Sequence, residues 1–300
     1  MTFTTRSALS TAKRILLGAT ATLMVMTATA CSGTPEPSTS PSEKAPESTS
    51  SAGADALPTV TPGKLTIATG EPAFSPWIEN DAPESGEGLE AAVAYAVAEE
   101  LGFAHDDVVW IRTPFDTVIA PGPKDFDLNI QQFSVTPERK EAVDFSSPYY
   151  VTTQAIVSQE GNAGADAKTL AELKDVKFGV ASGSNAATVI ETNVAPSQEI
   201  SVFNSNDDAV AALQAGQIDA IVTDLPTVLY LQAAVLDKGV VVGQFEPIAG
   251  DGDEFAFLLE KGSELTAPVT AAVDALREAG TLDALAETWI AEGAGAPVLK

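Results

Sequence analysis

One arginine stands in a setting that could grip an anion. Arg139 lies in the segment Ser134-Val-Thr-Pro-Glu-Arg139-Lys. Thr136 is a good N-cap and Pro137 suits the first helical position, so the spacing predicts a helix whose first turn carries Arg139. The guanidinium would stand beside free N–H groups and the hydroxyls of Ser134 and Thr136, a collection suited to a carboxylate. Two further groups sit where an apolar run ends. Gly183-Ser184-Asn185 follows Val176–Val180 and opens a helix, where glycine permits close backbone approach. Asp224 follows Asp219-Ala-Ile-Val and precedes Leu225-Pro226. Both also read as plain N-caps, and a carboxylate has acceptor sites enough for a cap and a second role.

Other chemistries fit poorly. His105 is the only histidine and Cys31 the only cysteine, which leaves little for a histidine-rich metal site or a Ser-His-Asp triad. No G-x-x-x-x-G-K-[ST] phosphate loop occurs, which argues against an ATPase subunit. The formal charge is −26, with 16 Lys and Arg against 42 Asp and Glu. Nucleic acid is excluded as a natural partner, because phosphate binding needs a basic surface. No cofactor is expected.

The elements that must position these groups alternate. Leu65–Ala68 reads as a strand. Gly88–Leu101 reads as a helix, with Leu89, Val93, Val97 and Leu101 every four residues and Gly102 after its end. Val108–Ile111 and Asp127–Ile130 read as strands, the latter leading into the arginine turn. The pattern then repeats: strand Val176–Val180, helix Asp207–Ala215 capped by Asn206, strand Asp219–Val222. Such alternation argues for parallel sheets, whose ligands sit outside the carboxyl ends of the strands. Tyr149–Ser158 and Gln244–Gly252 are extended runs that could join two lobes, with hinges near Thr153 and Glu246. Glu254–Leu259 reads as a strand. Leu265–Glu292 reads as helical, with Leu276, Leu282, Leu285 and Trp289 facing a core.

The run from Asn129 to Pro148 resembles the signature of the family 3 extracellular solute-binding proteins, the polar amino-acid receptors of ABC importers. Their pattern reads roughly S-x-T-x-x-R-x-x-x-x-x-F-S-x-P-Y, matched here by Ser134, Thr136, Arg139, Phe145, Ser146, Pro148 and Tyr149. The resemblance extends over residues 63–292. It implies an α/β, two-lobed periplasmic-binding-protein type II (Venus-flytrap) fold with two hinge connections. Lobe 1 would comprise 63–152 plus 251–300, and lobe 2 would comprise 153–250. It further implies that Arg139, Ser134, Ser184 and Asn185 hold a ligand carboxylate and that Asp224 pairs with its ammonium. Glu71-Pro-Ala-Phe74-Ser-Pro-Trp77 is similar to a family loop that brings Phe74 to the ligand and Glu71 toward its distal end. Phe115 matches the aromatic on the opposite wall, and such residues are also common in cores. Gln131 and Gln132 stand where many relatives carry small hydroxyl residues. The function expected is capture of a polar or basic α-amino acid and delivery to ABC permease subunits by a monomer without catalysis. Basic solutes fit Glu71, and Arg112, close to Phe115, stands against them. Two alternatives remain: a prephenate or arogenate dehydratase-like enzyme with Glu71 as its acid or base, and a sensor or surface protein without transport.

The N-terminus reads as an export signal. Arg6, Lys13 and Arg14 precede the apolar stretch Ile15–Ala28, which is too short to span a bilayer comfortably, and Ala28-Thr29-Ala30 precede Cys31. Cys31 resembles a lipobox cysteine, acylated after removal of residues 1–30. That removal leaves 13 basic residues against 42 acidic ones, a charge of −29. Residues 31–62 hold Ser, Thr, Pro, Glu, Ala and Gly with almost no large apolar side chain, a composition suited to a disordered tether. The expected location is the outer face of the cytoplasmic membrane, extracellular or periplasmic, with contact to the membrane through the lipid alone. A single acyl chain binds membranes only marginally, so stable anchoring requires more than one. Cys31→Ser is expected to move the protein from the membrane to the soluble fraction without changing solute affinity. Membrane retention of that variant on fractionation refutes the anchor.

Overall fold

The computed structural model describes residues 56–247, 252–290 and 296–300. The signal segment, Cys31 and most of the expected tether therefore lie outside the described residues.

The first half of the chain builds one sheet. β1 (Leu65–Thr69) is buried along its whole length and is followed by α1 (Leu89–Glu100). Leu89, Val93 and Val97 are fully shielded, as their four-residue spacing predicts, and Leu101 ends the helix beside them. β2 (Val108–Arg112), the one-turn α2 (Phe115–Val118), β3 (Leu128–Asn129), the one-turn α3 (Arg139–Ala142) and the long β4 (Val143–Thr152) follow. The chain then enters a second sheet. Its order is β5 (Gln154–Gln159), β6 (Phe178–Ala181), α4 (Ala186–Asn193), β7 (Ser201–Phe203), α5 (Asn206–Gln214), β8 (Ala220–Asp224), α6 (Leu225–Tyr230) and β9 (Gly239–Gln244). β10 (Asp253–Glu260), α7 (Thr266–Glu278) and α8 (Thr281–Trp289) return to the first lobe. The strand orders are β2-β1-β3-β10-β4 and β7-β6-β8-β5-β9. Each sheet pairs parallel strands on one side with antiparallel strands carrying the crossings on the other.

Several boundaries differ from expectation for physical reasons. Ser205, not Asn206, caps α5, because its hydroxyl accepts from the Asp208 N–H at 3.1 Å. The closing helical run is two helices, broken at Gly280, whose φ of 74° is left-handed and suits glycine. β9 escaped notice because Gly239-Val-Val-Val-Gly243-Gln244 lies between two turns and shows no alternation. The tether is shorter than 31–62. Leu57 packs on the first core, and the buried Asp127 carboxylate accepts from Val60 N and Thr66 N, each at 2.7 Å. Burial raises the Asp127 pKa, and those two N–H groups oppose the rise. Lobe 1 does not include all of 251–300 either. Leu299 is buried in the core of the second lobe, Val298 bridges Gln244, and Leu299 N donates to Gln244 O at 2.9 Å. The chain therefore crosses between lobes a third time after Ile290. Gly243 makes room for that return, since a Cβ there would lie 2.6 Å from Leu299 Cγ.

Among the described residues no helix is long and apolar enough to cross a membrane. A chain beginning at residue 63 is expected to be roughly 1–3 kcal/mol less stable than one beginning at residue 56, since Asp127 loses a buried donor. Equal midpoints in urea would show that the Leu57–Pro62 strap contributes nothing.

Candidate functional site

A cavity of about 310 Å³ lies between the lobes. It is walled by loops that leave the carboxyl ends of β1, β2, β3, β6, β7 and β8, as expected for this sheet type. Its size suits a small solute.

In the first lobe, the Thr136 hydroxyl accepts from Arg139 N at 3.2 Å, while the single helical turn begins at Arg139 with Glu138 at its N-cap position. The guanidinium is braced by carbonyls. Nη1 donates to Ser134 O at 2.8 Å, and Nη2 donates across the cleft to Gly183 O at 2.7 Å. Its Cζ lies 5.6 Å from the centroid of Phe115, which stacks on Phe133. Burial lowers the Arg139 pKa, opposed by Asp253 and Glu138, and a guanidinium stays charged throughout. Among the described residues no carboxylate lies within ion-pair distance of it.

The second lobe supplies the opposite sign. Asp224 is 5% exposed and ends β8. It caps α6, accepting from Thr227 N at 2.8 Å and Thr227 Oγ1 at 2.9 Å. Burial raises its pKa, opposed by the Thr227 and Thr223 donors. Thr227 Oγ1 in turn accepts from the indole Nε1 of Trp77 in the first lobe at 2.8 Å. Gly183 has φ of 74°, and a Cβ there would meet the Asp116 Cα of the first lobe at 3.3 Å. Ser184 lines the cavity with its hydroxyl donating to Ala181 O at 2.7 Å. Asn185 lines the cavity, and its amide donates to both Asp253 oxygens at 3.0 Å.

Phe74, Phe115, Glu71, Gln131 and Ser134 all line the cavity with Arg139 and Asp224. Arg139 takes the carbonyl of Ser134 rather than its hydroxyl. Arg112 is not a second cleft cation: it pairs with Asp81 at 2.8 Å and donates to Gly70 O. His105 stacks on Tyr95 at 3.9 Å, outside the lining. The sequence reading missed Thr69, Gln154, Asn206 and Asp208, which also line the cavity. Thr69 Oγ1, Gln131 Oε1, Gln154 Oε1 and Asn206 Oδ1 are shielded from solvent without a protein partner. Buried polar atoms are ordinarily paired; these four are covered by protein and offer no open surface to a guest in this geometry.

Behind the wall lies Glu90, which is fully buried on α1. It accepts from Gln132 N at 2.7 Å, from Gln132 Nε2 and from the Tyr149 hydroxyl. Burial pushes its pKa from 4.5 up to about 7, the Tyr149 and Gln132 donors oppose this, and Asp224 adds to it.

Known proteins resemble this chain in sequence and in fold. The family model for bacterial extracellular solute-binding proteins, family 3, matches residues 65–292. The L-cystine-binding protein TcyJ of Escherichia coli (strain K12) is 33% identical over 217 residues, covering 71% of this chain and 76% of that one. The L-arginine-binding protein of Pseudomonas aeruginosa is 31% identical over 233 residues, covering 75% and 87%. Among solved structures, an ancestral arginine-binding protein bound to glutamine superimposes with a TM-score of 0.64 at 31% identity, covering 77% of this chain and all of that one.

The raised pKa of Glu90 makes a stability prediction. The folded chain holds a proton that the unfolded chain gives up near pH 4.5, so this group's contribution is full below that pH and is lost as pH rises through about 7. The loss amounts to about 3 kcal/mol. Glu90→Gln is expected to flatten the fall in stability between about pH 5 and about pH 8, read by chemical denaturation. An unchanged slope would reject Glu90 as its source.

Proposed function

The chain belongs to the bacterial extracellular solute-binding proteins, family 3, and on that premise we propose that its cavity captures a polar or basic α-amino acid for delivery to an ABC importer. One observation carries the reading. The cavity holds a half-buried guanidinium from one lobe, Arg139, and a buried carboxyl from the other, Asp224, neither with a protein counter-ion among the described residues. An α-amino acid carries the complementary pair, a carboxylate for the guanidinium and an ammonium for the aspartate. Glu71 and Asp208 add two more acidic groups to the lining, which favours a basic side chain. The relatives named for cystine and arginine binding support an amino acid as the solute class. Export, acylation at Cys31 and a monomeric receptor tethered to the outer face of the membrane complete the proposal.

Calorimetric titration with free amino acids tests it, together with mass spectrometry of any solute retained on purification. An intact amino acid is expected, and a converted product would favour an enzyme. Arg139→Ala removes one partner of a buried charged pair, which costs on the order of 2–5 kcal/mol, or roughly 30-fold to several-thousand-fold in affinity. Asp224→Asn is expected to weaken an amino acid strongly and its des-amino analogue little. Equal losses for the two would remove Asp224 from the ammonium site.

A further inference from the structure

We propose that Glu90 is a positioning residue for ligand recognition: it holds the Gln131–Gln132 turn of the cavity wall in a left-handed backbone conformation that a side chain resists. This rests on the cavity being the solute site. Gln132 has φ of 50°, and of the non-glycine residues with positive φ it is the one that lines the cavity among the described residues. Such a conformation persists where the surroundings over-determine it. The surroundings here are a single carboxylate.

The hydrogen bonding of the run makes the dependence specific. Ile130 N donates to Ala68 O at 3.0 Å, so the chain is fixed in the sheet up to that point. Ala256 N donates to Phe133 O at 3.2 Å and Val135 N to Glu254 O at 2.9 Å, so it is fixed again from Phe133 onward. Between them the turn hangs on Glu90, which takes both the backbone N–H and the side-chain amide of Gln132. Tyr149 supplies the third donor and orients the carboxylate. Gln131 follows the turn. Its Nε2 lies 2.7 Å from where a Cβ on Gly70 would stand, so the two loops fit against each other on the cavity wall. A shift at Gln132 therefore changes the space offered to the solute, although Glu90 itself does not line that space.

The test uses the full chain at about pH 8, where Glu90 is largely charged. L-arginine, L-lysine, L-glutamine and L-cystine serve as probes, and amide hydrogen exchange is followed without ligand. Glu90→Gln is expected to weaken the best-binding probe about tenfold, the size of one good hydrogen bond to a charged group. Exchange at positions 131 and 132 should rise while α1 and β1 stay protected. Gln132→Gly takes the left-handed turn without strain, so Glu90→Gln is expected to cost at least about threefold less affinity in that background than in the parent. Parent-like binding by Glu90→Gln, or an equal loss in the two backgrounds, overturns the proposal. Should Glu90→Gln fail to fold, Gln132→Ala keeps the N–H but loses the amide and must still weaken binding; parent-like affinity overturns the proposal equally. If none of the four probes binds, exchange alone decides the role of Glu90: unchanged protection at 131 and 132 overturns it.

Discussion

The structure is organised around two charges that burial leaves short of partners. Arg139 projects from the first lobe and Asp224 from the second, and the pKa of each is moved by desolvation as its largest cause. An interior charge without a counter-ion is costly unless dipoles support it. The fold supplies those dipoles with neutral groups: two carbonyls for the guanidinium, and a helix N-terminus with hydroxyls for the carboxylate. Neutral support keeps both ions in place while leaving their charge available to a guest. A protein salt bridge between them would have met the same electrostatic need and closed the site to an external zwitterion.

The sheets explain how two such ions come to face one another. Each lobe gathers the carboxyl ends of its parallel strands at the cleft, and the chain crosses between lobes on the antiparallel side. Gln244 ties these crossings together. Its amide oxygen accepts from Thr153 Oγ1 on the first crossing at 2.6 Å, and its Nε2 donates to Ala296 O on the third at 2.6 Å. Leu225 N, at the start of the helix that Asp224 caps, donates to Thr153 O at 2.9 Å. The aspartate is therefore joined to the first crossing between the lobes by one residue and one hydrogen bond.

Much of this was legible in the sequence where a local rule and the fold demanded the same residue. Thr136-Pro137 before Arg139, the four-residue spacing of α1 and the Asp224-Leu-Pro cap are features of that kind. The residues expected on the cleft, Asn185 among them, line one cavity, and the Asn185 amide also donates to Asp253. What escaped was set by tertiary contact. Leu57 stands in a largely polar run, and its partial burial depends on packing against the first core rather than on any local pattern. Val298 and Leu299 follow a Gly- and Ala-rich stretch that gives no sign of which lobe they join. Asp208 looks like any first-turn acid of a solvated helix, and only the sheet geometry turns it to the cavity. Gln132 could not be read as left-handed, because the carboxylate that stabilises it lies 42 residues earlier.

Closure is where these contacts act together. Several bonds join the lobes without any guest: Arg139 Nη2 to Gly183 O, Trp77 Nε1 to Thr227 Oγ1, and the Asn185 amide to Asp253. On the proposed reading of a receptor that opens and closes, these bonds favour the closed state with or without a solute and confer no selectivity. A solute shifts that balance only by what it gains in the closed state over the open one. On the proposed reading, that gain comes from bridging Arg139 and Asp224, since a molecule held by one lobe alone binds both states alike. Lobe-to-lobe contacts and the zwitterion requirement thus divide the work. The former keep the closed geometry within reach, and the latter restricts full closure to solutes with both charges at the right separation.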